Sequence, residues 1–445
     1  MSVLPIGWAF ANLSGITSLD GIVSDGDWVE SKDQDPNGDV RLIQLADIGD
    51  GKFINKSNRF MNIEQTNRLR CTLLKEGDVL IARMPDPLGR ACLFPELSND
   101  AVTVVDVCLV RLTDSSALKN KLFMYWVNSP TIRNLVDMQA SGTTRRRITR
   151  KKLALFDFPI PPLNEQARIV DKLDSILAKV NAAQARLDKI PNILKRFRQS
   201  VLAAATSGEL IGENIDSWNN SPLVSLLSNI ADCPHSTPKW TAEGKICVRT
   251  TALKPFNLDL TEQKNVSQET YIERTKRLEP KAGDILYSRE GAILGIACQV
   301  PEGVELCLGQ RMLVMRAGEK IDPQYLTIVL NSPLITDPIK SLTIGNAAPR
   351  INMSVIKNFN IPYPSLKKQK EIVRRFEAMF ENATKVEKKY LKAKDHTNRL
   401  TQSILAKAFR GELVTQDEND EPAIELLTRI KEQAELQKPR KKAKK

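Results

Sequence analysis

Residues 163–210 read LNEQARIVDKLDSILAKVNAAQARLDKIPNILKRFRQSVLAAATSGEL, and the same pattern returns at residues 366–413. The register between the two segments holds without a gap. Near their ends, for instance, Gln199-Ser-Val-Leu-Ala203 falls on Gln402-Ser-Ile-Leu-Ala406. The chain therefore contains two copies of one unit.

Apolar residues recur in both copies at alternating steps of four and three, which is typical of helices that pack along a seam. Two long helices, each of about 40 residues and ~60 Å, are predicted to pack on each other. The alternative is that each helix docks on its own domain. Pro191 is predicted to kink the first helix or to begin a new segment. The seam positions are Ile169, Leu173, Ile176, Val180, Ala183, Leu187, Ile190, Leu194, Phe197 and Val201, and Ile372, Phe376, Met379, Ala383, Val386, Tyr390, Ala393, Thr397, Leu400 and Ile404.

Length and composition indicate a globular protein of two or three domains, since the chain has 445 residues and 42% hydrophobic residues. No apolar run approaches the ~20 residues of a membrane span, and the N-terminus lacks the pattern of a signal peptide. We therefore expect a cytoplasmic protein without membrane contact. The seven cysteines are scattered, which favours buried reduced thiols over disulfides or a zinc site.

The net charge of +12 suggests a polyanionic partner, although six of the positive charges lie in the last eight residues. The body of the chain is therefore only modestly basic. The Lys-rich end is expected to be disordered, and it serves either as a solubilising tail or as a weak, nonspecific DNA contact.

Each long helix is preceded by a globular half with short, strand-like periodicity, so the fold class is α+β. Strands are predicted at 40–45, 78–82 and 101–110, and helices at 118–128 and 130–138. The halves share landmarks, such as Gly77-Asp-Val and Gly283-Asp-Ile, more than sequence. The predicted boundaries are 1–158 for the first half, 159–210 for the central helix, 211–361 for the second half, 362–413 for the distal helix, and 414–445 for a short helix and the basic tail.

Catalytic motifs are absent from the sequence: it contains neither a phosphate-binding loop nor a dinucleotide-binding fingerprint. The two histidines, His235 and His396, belong to no recognisable metal site, and His396 is predicted to be an exposed helix position. The sequence thus predicts a protein that binds and does not catalyse. A self-sufficient enzyme and a pure coiled-coil scaffold are the two rival classes.

The strongest binding candidate is Ser141-Gly-Thr-Thr-Arg-Arg-Arg-Ile148, where three guanidinium groups follow a Gly-Thr-Thr turn. Hydroxyl groups, backbone N–H groups and arginines suit phosphate. The matching loop, Gly345-Asn-Ala-Ala-Pro-Arg-Ile351, keeps an arginine in the same place. The alternative is a solvated charge run. The predicted contacts are Thr143, Thr144, Arg145, Arg146, Arg147, Lys151, Asn346 and Arg350.

A second set of candidates follows matched strand ends. Arginine can bond guanine and glutamine can bond adenine with two hydrogen bonds in the major groove of DNA, so these residues are predicted to read bases. The alternative for each single arginine is a structural salt bridge. The set comprises Gln44, Arg83, Arg90, Arg249, Thr250 and Arg289.

Four segments resemble the specificity subunits of type I restriction-modification enzymes, in their type IA branch. They are Leu4-Pro-Ile-Gly-Trp8, Ile160-Pro-Pro-Leu-Asn-Glu-Gln166, Lys195-Arg-Phe-Arg-Gln-Ser-Val-Leu202 and Leu400-Thr-Gln-Ser-Ile-Leu-Ala-Lys-Ala-Phe-Arg-Gly-Glu-Leu413. The resemblance covers essentially the whole chain. The second copy of the opening, Asp216-Ser-Trp218, matches only weakly.

The resemblance implies two target recognition domains that are joined by two long antiparallel coiled-coil helices with pseudo-twofold symmetry. It also implies a non-catalytic DNA reader of a bipartite target with a fixed spacer. A ~60 Å rod can hold half-sites one turn of DNA apart, ~34 to 36 Å. The implied partners are double-stranded DNA, two modification subunits with S-adenosylmethionine, and two restriction subunits with ATP and magnesium. The alternative is the same reader in another defence complex.

Overall fold

Two units divide the chain in this computed structural model, which describes residues 4–143, 145–291, 294–342 and 350–436. Unit 1 consists of residues 1–186 and 393–445, and unit 2 of residues 187–392. Each unit contains one globular half together with parts of both long helical segments. The α+β class with long helices is therefore confirmed.

The globular part of unit 1 contains short strands and short helices. A four-stranded antiparallel sheet has the order β2-β8-β5-β6, and a three-stranded sheet has the order β4-β3-β7 with β3 and β7 parallel. The elements are β1 (Ala9–Ala11), α1 (Leu13–Ile16), β2 (Ile22–Asp25), β3 (Val40–Ile43), β4 (Phe60–Met61), α2 (Ile63–Arg68), β5 (Val79–Ala82), β6 (Ala91–Leu93), β7 (Ala101–Thr103), β8 (Val107–Arg111), α3 (Asn120–Val127), α4 (Pro130–Gln139), α5 (Arg150–Ala154), β9 (Phe158–Ile160) and α6 (Leu163–Leu187).

Unit 2 repeats this plan with small additions. Its four-stranded antiparallel sheet has the order β11-β20-β17-β18, and a second sheet has the order β12-β16-β13-β19 with β13 and β19 parallel. The elements are α7 (Ile190–Ser207), β10 (Asn219–Pro222), β11 (Leu227–Asp232), β12 (Trp240–Thr241), β13 (Lys245–Val248), β14 (Leu253–Lys254), β15 (Asn257–Leu258), β16 (Lys264–Val266), α8 (Gln268–Thr275), β17 (Ile285–Ser288), β18 (Ala297–Gln299), β19 (Leu306–Leu308), β20 (Met312–Ala317), α9 (Pro323–Asn331), α10 (Pro333–Leu342), α11 (Met353–Lys357) and β21 (Asn360–Tyr363).

The central strand β5 is apolar throughout, and its two faces belong to two different core clusters. Val79 and Ile81 belong to the core cluster that also contains residues of α3 and α4, whereas Leu80 and Ala82 belong to the cluster that contains Ile43 of β3. Alternate side chains point to opposite faces of a strand, so both faces of β5 are buried. In unit 2, β17 divides its residues between two clusters in the same way.

The prediction of one strand over residues 101–110 is wrong. The structure has two strands, β7 and β8, separated by the turn 104–106. Strand β7 pairs with β3, while β8 pairs with β2 and β5, so the chain changes sheets at this turn. The largely apolar run 101–110 hides such a change because both strands are buried, and only Asp106 marks the turn.

The long helices form as the repeat predicts. Helix α12 (Leu366–Ala408) is continuous over 43 residues, and a final helix α13 (Ala423–Leu436) follows it. The first copy is divided into α6 and α7, because Pro191 lies in the first turn of α7, where its missing N–H costs nothing. Pro191 therefore begins a new segment, one of the two outcomes expected for it.

Helices α7 and α12 run antiparallel within unit 2. Arg198 Nη2 donates to Glu387 Oε2 at 2.6 Å, and Arg375 Nη1 donates to the carbonyl oxygen of Leu210 at 2.9 Å. Residue numbers along α12 therefore fall as those of the contacting residues, Arg198 and Leu210, rise. In unit 1, Leu173 and Leu177 of α6 share one core cluster with Ile404 and Leu405 of α12.

Five of the predicted seam positions are exposed instead of buried. Each helix buries one flank against its neighbour and its own globular part, and the other flank of the apolar stripe faces solvent. The exposed positions are Ala183, Phe197, Met379, Val386 and Leu400.

One buried glutamine in each unit ties a long helix to the globular part. In unit 1, the Oε1 of Gln166 accepts from the backbone N–H of Lys119 at 3.1 Å, and its Nε2 donates to the carbonyls of Ala117 and Pro161 at 2.8 and 3.0 Å. In unit 2, Gln369 makes the same three bonds, at 2.7, 3.1 and 2.8 Å. Both side chains are fully buried.

Two tryptophans mark equivalent places in the two units. The indole N–H of Trp8 donates to Glu165, and that of Trp218 donates to Glu213. Both indoles are buried, so Trp218 takes the place of Trp8 despite the weak match around it. Burial raises the pKa of the Glu165 carboxyl above its ordinary value.

Several simpler expectations concern single residues. The seven cysteines are free thiols, six of them buried, and burial raises the pKa of Cys92 and Cys108 to about 12. His396 is exposed on α12, as predicted. No helix within the described ranges has the length and apolar character to cross a bilayer.

Candidate nucleic-acid interface

The basic loop of unit 1, residues 141–148, joins α4 to α5 and is closed at its base. Ser141 and Arg147 exchange two backbone hydrogen bonds, at 3.0 and 2.9 Å, and the N–H of Ile148 donates to the carbonyl of Arg83 at 3.1 Å. Gly142 has φ +96°, and a Cβ there would lie 2.7 Å from the carbonyl oxygen of Arg145. Glycine is therefore required at the tip, where Thr143, Arg145 and Arg146 are exposed.

The arginines of this loop differ in how firmly they are held. Arg145 is exposed, as is Lys151 on α5. Arg146 donates to the carbonyl of Asp137 at 2.6 Å, and Arg147 lies 3.3 Å from the carboxylate of Asp106. Both guanidinium groups are 40 to 45% exposed, so they can meet an anion without leaving their partners. Thr144, predicted to belong to this group, lies outside the described residues.

Arg83 and Arg90 are buried; Arg83 makes a salt bridge, the alternative to base reading, whereas Arg90 binds backbone carbonyls. Arg83 is 3% exposed and its Nη1 lies 2.8 Å from Asp25. Arg90 is 6% exposed and donates to the carbonyls of Leu45 and Ile48, at 2.6 and 2.5 Å. Burial lowers the pKa of both guanidinium groups from their ordinary value. Neither side chain presents a surface to a base.

Arg289 of unit 2 has the same role as Arg83. Its Nε and Nη2 donate to the two carboxylate oxygens of Asp232, at 3.0 and 2.8 Å, and the residue is 1% exposed. Arg350 is exposed, and its backbone bridges to Glu290. Asn346 lies outside the described residues.

Gln44 and Arg249 occupy equivalent places directly after β3 and β13, where each begins a short turn of 3-10 helix. The N–H of Gln44 donates to the buried carboxylate of Asp47 at 2.8 Å, and its side chain is partly exposed. Arg249 is exposed and Thr250 is partly exposed. Both strand ends therefore present a polar side chain, and the charged one belongs to unit 2.

One candidate residue, Arg311, was missed from the sequence. It ends the turn 309–311 between β19 and β20, is 53% exposed, and has φ +68°, a conformation unusual for a residue with a side chain. Its equivalent in unit 1 is Asp106, which binds Arg147. The hydrophilic turn Gly309-Gln-Arg311 before β20 could have identified it. The equivalent turn at 104–106 was not recognised, because a continuous strand was predicted there.

The two units therefore present different charges from one frame. In unit 1, the acidic Asp106 holds Arg147, and Arg145, Arg146 and Lys151 are exposed on the basic loop or next to it. In unit 2, Arg311 takes the place of that acid, and Arg249, Arg311 and Arg350 are exposed next to strand ends. Exposed guanidinium groups at strand ends and loops suit phosphates and the edges of guanine. Within the described ranges, no cluster of His, Cys, Asp and Glu has the arrangement of a metal site.

Comparison with known proteins shows the family of the chain. Residues 5–192 and 255–394 match the family described as type I restriction modification DNA specificity domain. The EcoBI specificity subunit of Escherichia coli is 32% identical, over 74% of this chain and 72% of its own. The StySPI specificity subunit of Salmonella potsdam is also 32% identical, over 67% of this chain and 66% of its own.

Solved structures share the fold. A chain from a structure that addresses complex assembly and conformational transition of the type I R-M system superposes with a TM-score of 0.72 at 19% identity, covering 93% of this chain and all of that one. The HsdS subunit from Thermoanaerobacter tengcongensis superposes with a TM-score of 0.56 at 20% identity, covering 92% and 98%. By its duplicated frame and by the family match over most of its length, the chain belongs to the specificity subunits of type I restriction-modification enzymes.

Proposed function

We propose that this subunit reads a DNA sequence in two parts, one with each globular half, residues 1–158 and 211–361. The observation that supports this most is the duplicated frame with different exposed side chains at equivalent places, such as Asp106 and Arg311. Two copies of one reader with unlike surfaces fit a target with two unlike halves. The family resemblance of the repeated helical segments supports a constant gap between those two halves of the target.

The family is one of DNA-recognition subunits, which are not catalytic themselves and bind no cofactor. The chemistry then belongs to methyltransferase and restriction partners. We infer two copies of each, because the repeated helices offer two equivalent docking positions. S-adenosylmethionine would be bound by the modification subunits, and ATP with magnesium by the restriction subunits. The family match favours this setting over a different defence complex.

The residues that would meet DNA fall into two groups. In unit 1 they are Thr143, Arg145, Arg146, Arg147 and Lys151, whose exposed hydroxyl and cationic groups suit phosphate. In unit 2 they are Arg249, Thr250, Arg311 and Arg350, where guanidinium groups can also reach guanine in the major groove. Gln44 is retained as a polar strand-end candidate, and Thr144 and Asn346 stay predictions.

Mapping of methylated adenine tests the function itself. The chain is expressed with its modification partner in a host that lacks other adenine methyltransferases, and the genome is sequenced by a method that detects N6-methyladenine. We expect one motif with two specified parts and a constant unspecified gap. A host with the modification partner alone is the control. A contiguous motif, or methylation that does not require this chain, would contradict the proposal.

Replacing Arg311 should weaken DNA binding and leave the stability of the fold almost unchanged. Arg311→Ala is expected to weaken binding to the mapped motif roughly tenfold, the loss of one good arginine contact. Its side chain is half exposed and makes one loose ion pair, 3.6 Å from Glu290, so stability should change little.

Fluorescence anisotropy with a duplex that carries the motif measures this effect. Lys281→Ala is the matched control, because Lys281 is exposed and precedes β17, at the end of the strand opposite to Arg289. Equal DNA affinities of Arg311→Ala and Lys281→Ala would show that Arg311 does not contact DNA.

A further inference from the structure

Arg83 connects three segments of unit 1 at one point. Its backbone N–H donates to the carbonyl of Asp106 in the turn 104–106, at 2.9 Å. Its own carbonyl accepts from the N–H of Ile148, at the base of the basic loop. Its side chain binds the carboxylate of Asp25, at the end of β2, and the carbonyl of Val105. The turn and the loop that face the proposed DNA surface are thus fixed to one residue.

Arg289 makes the same connections in unit 2. Its N–H donates to the carbonyl of Arg311 at 3.0 Å, and its carbonyl accepts from the N–H of Ile351 at 2.9 Å. Its side chain binds Asp232, at the end of β11, through two hydrogen bonds. Asp25 and Asp232 are themselves equivalent, because they pair with Cys108 and Leu313, the second residues of β8 and β20.

The burial of these arginines makes their ion pairs structurally necessary. Their side chains are only 4% and 2% exposed, and a buried charge that loses its partner is costly, commonly about 3 to 5 kcal/mol. Each carboxylate also has a second neighbour, the guanidinium of Arg150 at 3.4 Å from Asp25 and the imidazole of His235 at 3.3 Å from Asp232. Arg150 begins α5, two residues beyond Ile148, so Asp25 also holds the start of the helix that follows the basic loop.

We propose that Asp25–Arg83 and Asp232–Arg289 are positioning pairs, of which the first sets the turn 104–106 and the basic loop of unit 1, and the second sets the turn 309–311 and Arg350 of unit 2. Each pair therefore controls sequence discrimination in one half of the target and leaves the other half unaffected. This rests on the proposed two-part reading. The four residues touch no base; they act through Arg145 and Arg146 in unit 1, and through Arg311 and Arg350 in unit 2.

The chain supplies a control in a second arginine–aspartate pair at the other end of each sheet, where the aspartate and not the arginine is the more buried partner. Arg111 binds Asp78 through two hydrogen bonds, at 2.7 and 2.6 Å. Arg316 binds Asp284 likewise, at 2.9 and 2.8 Å. Both aspartates are buried. Breaking a control pair removes a buried carboxylate charge from the same sheet, at the strand end opposite to the loops.

The experiment selects binding sites from a library of DNA duplexes with a randomised centre, using the full chain in complex with its modification subunits. Wild-type protein should yield a consensus in two parts. Asp25→Asn is expected to lower enrichment of the correct bases roughly tenfold in one part, and Asp232→Asn in the other part. Asp78→Asn and Asp284→Asn should leave both parts unchanged. Thermal unfolding of all four variants shows whether Asp25→Asn loses as much stability as its control Asp78→Asn, and Asp232→Asn as much as its control Asp284→Asn.

The outcomes separate the two proposals. Absence of any two-part consensus with wild-type protein would overturn the proposed function. Two results would overturn the positioning role. In the first, Asp25→Asn and Asp232→Asn leave the two-part consensus intact. In the second, these variants and the control variants all weaken both parts of the consensus. If an asparagine variant does not fold, Arg83→Lys and Arg289→Lys replace it, with Arg111→Lys as the control. These keep the charge but lose part of the guanidinium geometry.

Discussion

Replacing Arg145, Arg146 and Lys151 together by alanine is expected to weaken DNA binding roughly 100-fold at ~0.1 M salt, for matched and unmatched sequences alike. The three cations are exposed on or next to the loop that Arg83 and Ile148 fix to the sheet. Contacts with phosphates release counterions, so the slope of log affinity against log salt should also fall in magnitude by about 2 to 3. Anisotropy titrations at several salt concentrations measure both quantities.

The matched control removes the same charge elsewhere. Lys75, Lys276 and Lys281 are exposed; Lys75 precedes β5, and Lys276 and Lys281 precede β17, so each lies before a strand that Arg83 or Arg289 follows. Their triple alanine variant has the same net charge as the loop variant and should keep most of the affinity. If both variants bind DNA equally weakly, net charge and not the loop determines binding, and the interface in unit 1 is misplaced.

Gln166→Ala is expected to destabilise unit 1 by about 4 kcal/mol. The variant removes three hydrogen bonds, leaves the N–H of Lys119 and the carbonyls of Ala117 and Pro161 unpaired, and opens a cavity at a fully buried position. Gln369→Ala should have the same effect on unit 2. Hydrogen–deuterium exchange with peptide resolution measures the two units separately.

An exposed glutamine provides the control for this prediction. Gln199 lies on the outer face of α7, and Gln199→Ala should change stability by less than about 0.5 kcal/mol. Loss of protection should be confined to peptides of residues 4–186 and 393–436 for Gln166→Ala. Equal loss in both units, or no loss in either, would show that the buried amide does not carry the connection between helix and globular part.

The sequence predicted the long helices and the duplication well, because both follow from local spacing. A stripe at alternating steps of three and four specifies a helix wherever it packs, and the aligned landmarks specified equivalent positions for Trp218 and Trp8 and for Gln369 and Gln166. The width of the buried flank was not predictable, since it depends on which neighbours each helix meets. Phe197 and Val386 are exposed for that reason.

The candidate site was predictable only in part. The loop with Arg145 and Arg146 was recognised because its arginines are consecutive and follow a glycine that the backbone requires. Arg83 and Arg289 carry the same charge, and their sequence context cannot distinguish a guanidinium in water from one against a carboxylate contributed by a distant strand. Arg311 was missed because the equivalent turn in unit 1, residues 104–106, was predicted to be part of one continuous strand.

The division of the chain between the two units has a consequence for synthesis. Unit 2 is a single continuous stretch, residues 187–392, whereas unit 1 also needs residues 393–436, including α13, whose first residue, Ala423, donates its N–H to the carbonyl of Gly7. Domains generally fold as they leave the ribosome, in N-terminal to C-terminal order. Residues 4–186 must therefore wait for residues 393–436, which are made later, so unit 2 can complete its folding before unit 1 does.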